Sequence, residues 1–333
     1  MHRSARRQTT FRLRSVVTAV CAVGVLMLAA CGSDDADTAT GGDSGGSTTT
    51  VTVGLIPILD VAPVYVGIDQ GFFKAEGLDL KIEMAQGGAA IVPAVVSGQY
   101  QFGFSNTTSL LLATSKGLAL KAVTAGVAST GQVGADFGAV VVKADSPIQS
   151  AADLVGKRVA VNTLNNINTT TVNNVVRKAG GDPSTIEYVE LAFPDIPAAV
   201  AKGDVDAGQV VEPFVTASEG QGLKQIVSNF AETDPDLMVG LYFTSADYAA
   251  KHADVVTKFG AAMKKSLEYA SQNPDAARGV LSKYTKITPE VGAKVVLPNW
   301  PTEIDKESVD LLADLAVEDG LMTTKPDLSA LLP

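Results

Sequence analysis

The chain has 333 residues, 46% apolar and 19% charged, with 26 basic against 36 acidic side chains. That apolar fraction excludes a disordered protein, and a net charge of −10 argues against a nucleic-acid binder, which needs a basic face. Two cysteines exclude a disulfide scaffold or a cysteine-ligated zinc site, and the length suits one large or two medium domains.

Residues 1–30 differ from the rest. Arg3, Arg6, Arg7, Arg12 and Arg14 make a basic start without acids, and no charge occurs from Ser15 to Ser33. Basic, then apolar, then small residues is the layout of a secretory signal. Leu28-Ala29-Ala30-Cys31 resembles the bacterial lipobox, in which the cysteine is lipidated and becomes the new N-terminus. The uncharged run also approaches the length of a permanent membrane anchor. Arg6-Arg7 hints at twin-arginine export, although its flanks fit poorly, so the route stays open. Residues 31–50 are rich in Gly, Ser, Asp and Thr and read as a flexible tether. Without residues 1–30, 21 basic face 36 acidic side chains, a net −15, and His252 is the only histidine left.

From Thr50 onward short β-rich runs alternate with helical ones. Residues 51–56 (VTVGLI) and 80–84 (LKIEM) read as strands, 91–98 as a helix stopped by Gly98, and 101–104 (QFGF) as a strand. Residues 107–117 read as a helix ending in Gly117, and 120–126 (LKAVTAG) as a strand. GAVVVK (138–143), KRVAV (157–161), EYVEL (187–191) and AGQVV (207–211) continue the strands, with an amphipathic helix over 172–180. The alternation predicts a mostly parallel α/β sheet. After about Ala246 the chain reads helical, with breaks at Asn273-Pro274, Pro289 and Pro301.

An internal echo joins two of these units. AVVSGQYQFG (94–103) and AVAKGDVDAG (199–208) place Gly98 against Gly203 and Gly103 against Gly208. Either two βα units are alike by chance, or two lobes follow one plan and face each other across a cleft at their strand C-termini. Catalytic motifs are missing: no Walker loop or G-x-G-x-x-G links a strand to a helix, and no HExxH or EF-hand pattern occurs. His252, in YAAKHADVV, reads as a solvated surface residue, which leaves no imidazole for triad chemistry. No cofactor and no metal is expected, and the chain reads as a binder rather than an enzyme.

GLIPILDVAPVYVGIDQGFFKAEGLDLKIE (54–83) resembles the opening of the substrate-binding proteins of ABC importers, in the subgroup for sulfonates, taurine, nitrate and thiamine-pyrimidine precursors. Further matches are GGAAIVPAVVSGQYQFGFSNTTSLLLA (87–113), SPIQSAADLVGKRVAV (146–161), FPDIPAAVAKGDVDAG (193–208) and VVEPFV (210–215). The resemblance implies an α/β, type II periplasmic-binding-protein-like fold, two lobes joined by hinge strands with the ligand between them. It divides the chain into a lipoprotein signal (1–30), a tether (31–50), lobe 1 (51–140), lobe 2 (141–238) and a return to lobe 1 with C-terminal helices (239–333). The implied partners are a small-molecule ligand, an ABC permease with its ATPase subunit, and the membrane through lipid on Cys31. The implied state is an extracytoplasmic, lipid-anchored monomer.

Candidate ligand-binding residues sit where strands end. Gly87 and Gly88 open a helix after the second strand, where glycine lets a ligand reach backbone N–H groups, or else make an ordinary turn. Asn106, Thr107 and Thr108 start the next helix as ligand contacts or as caps. Asn165, Asn166 and Asn168 form the corresponding loop of the second lobe, unless they are turn formers. Asp60, Phe193, Asp195 and Glu212 also follow strand ends; the carboxylates ring one cleft or cap helices. Phe72-Phe73 reads as a core anchor. No lysine or arginine falls in these loops, and Arg158 lies at a strand start. Carboxylates without a cation oppose a bare dianion and suit an amine, a hydroxyl or an aminopyrimidine edge. The expected ligand is therefore a small nitrogen- or sulfur-containing organic nutrient. Two rival readings remain, an enzyme on the same fold, such as one forming a pyrimidine precursor, and a surface lipoprotein without transport.

Overall fold

The computed structural model describes residues 48–333. The expected signal, Cys31 and nearly all of the expected tether lie outside the described residues. The first half-chain builds β1 (Thr49–Leu55), α1 (Ala62–Asp69), α2 (Phe72–Ala75), β2 (Leu78–Met84), α3 (Gly88–Val96), β3 (Phe102–Asn106), α4 (Thr107–Ser115) and β4 (Leu120–Ala128). The middle builds β5 (Gly138–Lys143), β6 (Arg158–Val161), α5 (Ile167–Lys178), β7 (Glu187–Glu190), α6 (Ile196–Lys202), β8 (Ala207–Val211), α7 (Phe214–Glu219) and β9 (Leu223–Val227). The chain then returns through β10 (Met238–Ser245) to α8 (Ala246–Lys251), α9 (Ala253–Gln272), α10 (Pro274–Gly279), α11 (Pro289–Gly292), α12 (Lys306–Glu318) and α13 (Leu328–Leu331).

The expected mostly parallel sheet is two sheets of five strands, ordered β2-β1-β3-β10-β4 and β7-β6-β8-β5-β9. Each has one reversed strand, β10 in the first and β5 in the second. The reason is where the chain crosses. β4 ends at the cleft, the crossover 129–137 delivers the chain to the cleft end of the second sheet, and β5 has to run away from it. The return over 228–237 imposes the same on β10. Register agrees: Gly138, which opens β5, pairs with Val211, which closes β8, and Gly240 of β10 pairs with Asn106, which closes β3. The change of sheet thus falls at 129–137 rather than at 140, because β5 is one continuous strand of the second sheet.

Side-chain alternation supplies the packing. In β5, Ala139 and Val141 join a large core that spans both sheets, whereas Val140 and Val142 join a smaller one with Leu154, Val172 and Val176. The echo has a steric basis. A Cβ at Gly103 would meet Ile91 Cγ2 of α3 at 2.5 Å, and one at Gly208 would overlap Ile196 Cγ2 of α6. In each lobe a glycine on the strand lets the preceding helix seat an isoleucine. Gly98 and Gly203 both end their helices in the left-handed region, at φ 78° and 85°.

In α9, Val255, Phe259, Ala262, Met263, Ser266, Leu267 and Ala270 are buried at helical spacing, and the helix packs on α1, α2 and β4. Phe73 packs 5.8 Å from Phe259. Asp136 ties the two crossovers together. Its Oδ2 accepts from Ser129 Oγ (2.8 Å) and the Ala231 N–H (3.0 Å), and its Oδ1 accepts from the Thr130 and Phe137 N–H groups, both at 2.9 Å.

Candidate functional site

The two sheets aim their parallel strands' C-termini at each other, and the loops beyond those ends enclose a cavity of about 20 Å³. Its wall takes Ile58 and Asp60 from beyond β1, Phe104 and Asn106 from the end of β3, and Asn162, Asn166, Ile167 and Asn168 from between β6 and α5. Phe193 follows β7, Val211 ends β8, and Phe230 comes from the second crossover. A space of that size holds roughly one water, so these are the walls of a cleft that is shut.

Direct hydrogen bonds join the lobes beside it. Gln86 Nε2 donates to the Asn162 carbonyl (3.0 Å), Asn162 Nδ2 donates to the Gln86 carbonyl (3.3 Å), and the Ile167 N–H donates to Asn106 Oδ1 (3.4 Å). Asn106 caps α4 through the Ser109 N–H, and Asn166 caps α5 through the Asn168 and Thr169 N–H groups. The N-termini of a lobe 1 helix and a lobe 2 helix therefore meet at the cavity, each with its asparagine cap at the wall. Asn162 organises the second lobe's side: its Oδ1 accepts from Asn166 Nδ2 (2.9 Å) and Asn168 Nδ2 (2.7 Å).

Among the described residues, Asp60 is the one titratable group in this wall. It is 2% exposed, and its Oδ2 has no hydrogen-bond partner. Burial pushes its carboxyl up to about 7, helped by the charge of Asp136 and opposed by its own backbone N–H. Behind it stand Tyr242, Tyr284 and Trp300. The Trp300 indole N–H donates to the Asp60 carbonyl (3.3 Å), and Tyr284, stacked on Tyr65 at 4.2 Å, donates to the Ile58 carbonyl (3.2 Å). Burial, with Asp60 nearby, pushes both the Tyr242 and Tyr284 phenols well above their usual range.

Asp60, Asn106, Asn166, Asn168 and Phe193 of the expected residues line the cavity. Gly87 lies where the lobes touch: a Cβ there would come within 2.8 Å of Thr163 Cγ2. Gly88 is buried because α3 sits on β3, and any side chain would overlap Ser105. Thr107 donates to the Met238 carbonyl (2.6 Å), fixing β10, while Thr108 is buried beside it. Asn165 is an exposed loop tip at φ 54°, where asparagine is tolerated, and Asp195 is exposed.

Glu212 is fully buried but away from the cavity wall. Its Oε1 accepts from Thr216 Oγ1 (2.8 Å) and the Val296 N–H (3.0 Å), its Oε2 accepts from the Thr216 N–H (3.1 Å), and burial holds it at about 7. Arg158 is occupied at the far end of β6 by the Asp204 carbonyl (2.6 Å). His252 is exposed, its ring 4.5 Å from that of Tyr248. The sequence reading missed Asn162, although it follows the strand KRVAV directly, much as Asn106 closes β3. It also missed Tyr242, on the unexpected strand β10. Among the described residues no group of three or more His, Cys, Asp and Glu forms a metal site, and no helix is long and apolar enough to cross a membrane.

Two α/β lobes, two crossovers and a cavity between opposed strand ends define the class of two-lobed periplasmic binding proteins. The fold is shared with the alkanesulfonate-binding protein SsuA from Xanthomonas axonopodis pv. citri bound to MOPS, at a TM-score of 0.73 and 17% identity, covering 87% of this chain and 100% of that one. The chain belongs to the NMT1/THI5-like family, whose model matches residues 59–277. It is 25% identical over 299 residues to the formylaminopyrimidine-binding protein of Halalkalibacterium halodurans, covering 88% of this chain and 83% of the relative. It is 28% identical over 207 residues to the taurine-binding periplasmic protein of Escherichia coli K12, covering 62% of each.

Proposed function

We propose that this chain is the extracytoplasmic solute-binding component of an ABC importer, capturing a small nitrogen- or sulfur-containing organic molecule for a permease and its ATPase. The observation that carries the reading is the cavity itself, walled from both lobes by amides, helix N-termini and one unpaired buried carboxylate. Relatives named for formylaminopyrimidine and taurine binding support the ligand class. Relatives named as binding proteins support binding without turnover. The chain works as a monomer tethered by lipid on Cys31, the residue at the end of the lipobox-like run.

Capture follows from the geometry. The cavity of about 20 Å³ admits no organic ligand, so the lobes part about the crossovers 129–137 and 228–237, and the ligand replaces the direct cross-cleft contacts on closing. Calorimetry on the purified protein with formylaminopyrimidine, taurine, alkanesulfonates and nitrate tests the reading. One of the organic compounds is expected to bind at micromolar affinity or better, with compaction relative to the opened protein in solution scattering. Tight nitrate binding with none of the organic compounds bound would refute it.

A further inference from the structure

One polar side-chain atom of the cavity wall has no hydrogen-bond partner. Of the wall's amide groups, Asn166 Nδ2 spends both N–H donors, on Asn162 Oδ1 and Thr163 Oγ1, while Asn106 Nδ2 spends one on Ser109 Oγ (3.0 Å) and Asn168 Nδ2 one on Asn162 Oδ1. Among the described residues no lysine or arginine lines the wall. The group left without a partner is an acceptor, Asp60 Oδ2, and it is fully buried. Two more unpartnered buried oxygens lie on the sheet behind it, Tyr242 Oη and Thr124 Oγ1, whose residues are paired directly across β10 and β4. A buried carboxylate oxygen without a donor is costly, and a native site keeps one where a ligand supplies the donor.

We propose that Asp60 sets the charge class of the ligand, so that the captured molecule presents a protonated amine or an amino N–H to Asp60 Oδ2, backed by the Tyr242 hydroxyl. This rests on the solute-capture reading and narrows it. An acceptor-only anion such as a simple sulfonate brings no N–H to Asp60 Oδ2 and places a second negative charge beside its carboxylate. A zwitterion or an aminopyrimidine places its nitrogen on Asp60 and its other end toward the N-terminus of α5.

Calorimetry with two matched pairs tests the assignment: taurine against ethanesulfonate, and formylaminopyrimidine against the same ring without its amino group. In the wild-type protein the amino member of at least one pair is expected to bind about 10- to 100-fold more tightly than its partner, the range of one hydrogen bond to a charged group. Asp60→Asn is expected to bring the two members of that pair within about threefold. Equal binding of both members by the wild type, or discrimination that survives Asp60→Asn, would overturn the Asp60 assignment while leaving solute capture standing. No binding of any of the four would overturn both.

A pH series on the wild type answers the same question without a variant. Affinity for the amino member should fall about tenfold per unit below the Asp60 pKa, while affinity for the amine-free member does not fall. The titratable groups that influence Asp60 are Asp136, Tyr242 and Tyr284, and the tyrosines stay neutral across that range. A fall common to both members would overturn the assignment.

Discussion

Asn162→Ala and Gln86→Ala test how the cleft is held shut. Each side chain bonds the other residue's backbone carbonyl, not its side chain. Gln86→Ala removes one cross-cleft hydrogen bond, about 1 kcal/mol, and lowers the closed-to-open ratio about fivefold. Asn162→Ala removes the reciprocal bond and also the acceptor for Asn166 Nδ2 and Asn168 Nδ2. Asn166 keeps Thr163 Oγ1, but the buried Asn168 amide is left bare, which adds roughly 1–3 kcal/mol. Gln86→Ala should therefore cost about 2 °C in Tm and Asn162→Ala about 6 °C. Because neither side chain is the other's hydrogen-bond partner, the double mutant should be additive to within about 0.5 kcal/mol. Urea melts of the four proteins supply the cycle, and solution scattering follows the shift toward the open form. A coupling of about 1 kcal/mol or more, or a larger loss from Gln86→Ala than from Asn162→Ala, would refute the reasoning.

Three further outcomes follow from the same structure. Asp60 has its folded pKa raised from 3.8 to about 7, so the stability it permits is fully present below pH 3.8 and is lost as pH climbs through 7. Relative to Asp60→Asn, the wild type should lose on the order of 4 kcal/mol between pH 4 and pH 8, with Glu212 titrating alike in both; parallel urea midpoints would contradict this. Gly208→Ala and Gly103→Ala should each destabilise by about 1–3 kcal/mol, because the new methyl meets Ile196 or Ile91, and an unchanged melt in either would show that the helix gives way. Cys31→Ser should move the protein from the membrane fraction to the soluble one; membrane retention would count against a lipid anchor there.

Hydrophobic periodicity and glycine placement determined the local elements, the βα repeat and its echo, because these depend on neighbours in the chain. They also placed Asp60, Asn106, Asn166 and Phe193 just past strand ends, which is where the cavity wall lies. They did not show β9 or β10: LKQIV carries two polar residues in five, and MVGLYFTS runs apolar before the C-terminal helices. Nor did they separate Asn165 from Asn166, since one residue of loop geometry turns the first to solvent and the second into the α5 cap. Glu212 and Asp60 both follow strand ends, yet only the tertiary structure decided which is unpaired. Glu212 finds the Val296 N–H, 84 positions along the chain, and Asp60 Oδ2 finds no donor. The net charge of the chain says nothing of this. A carboxylate's role depends on which donors the fold brings within about 3 Å of it, and those come from residues remote in sequence.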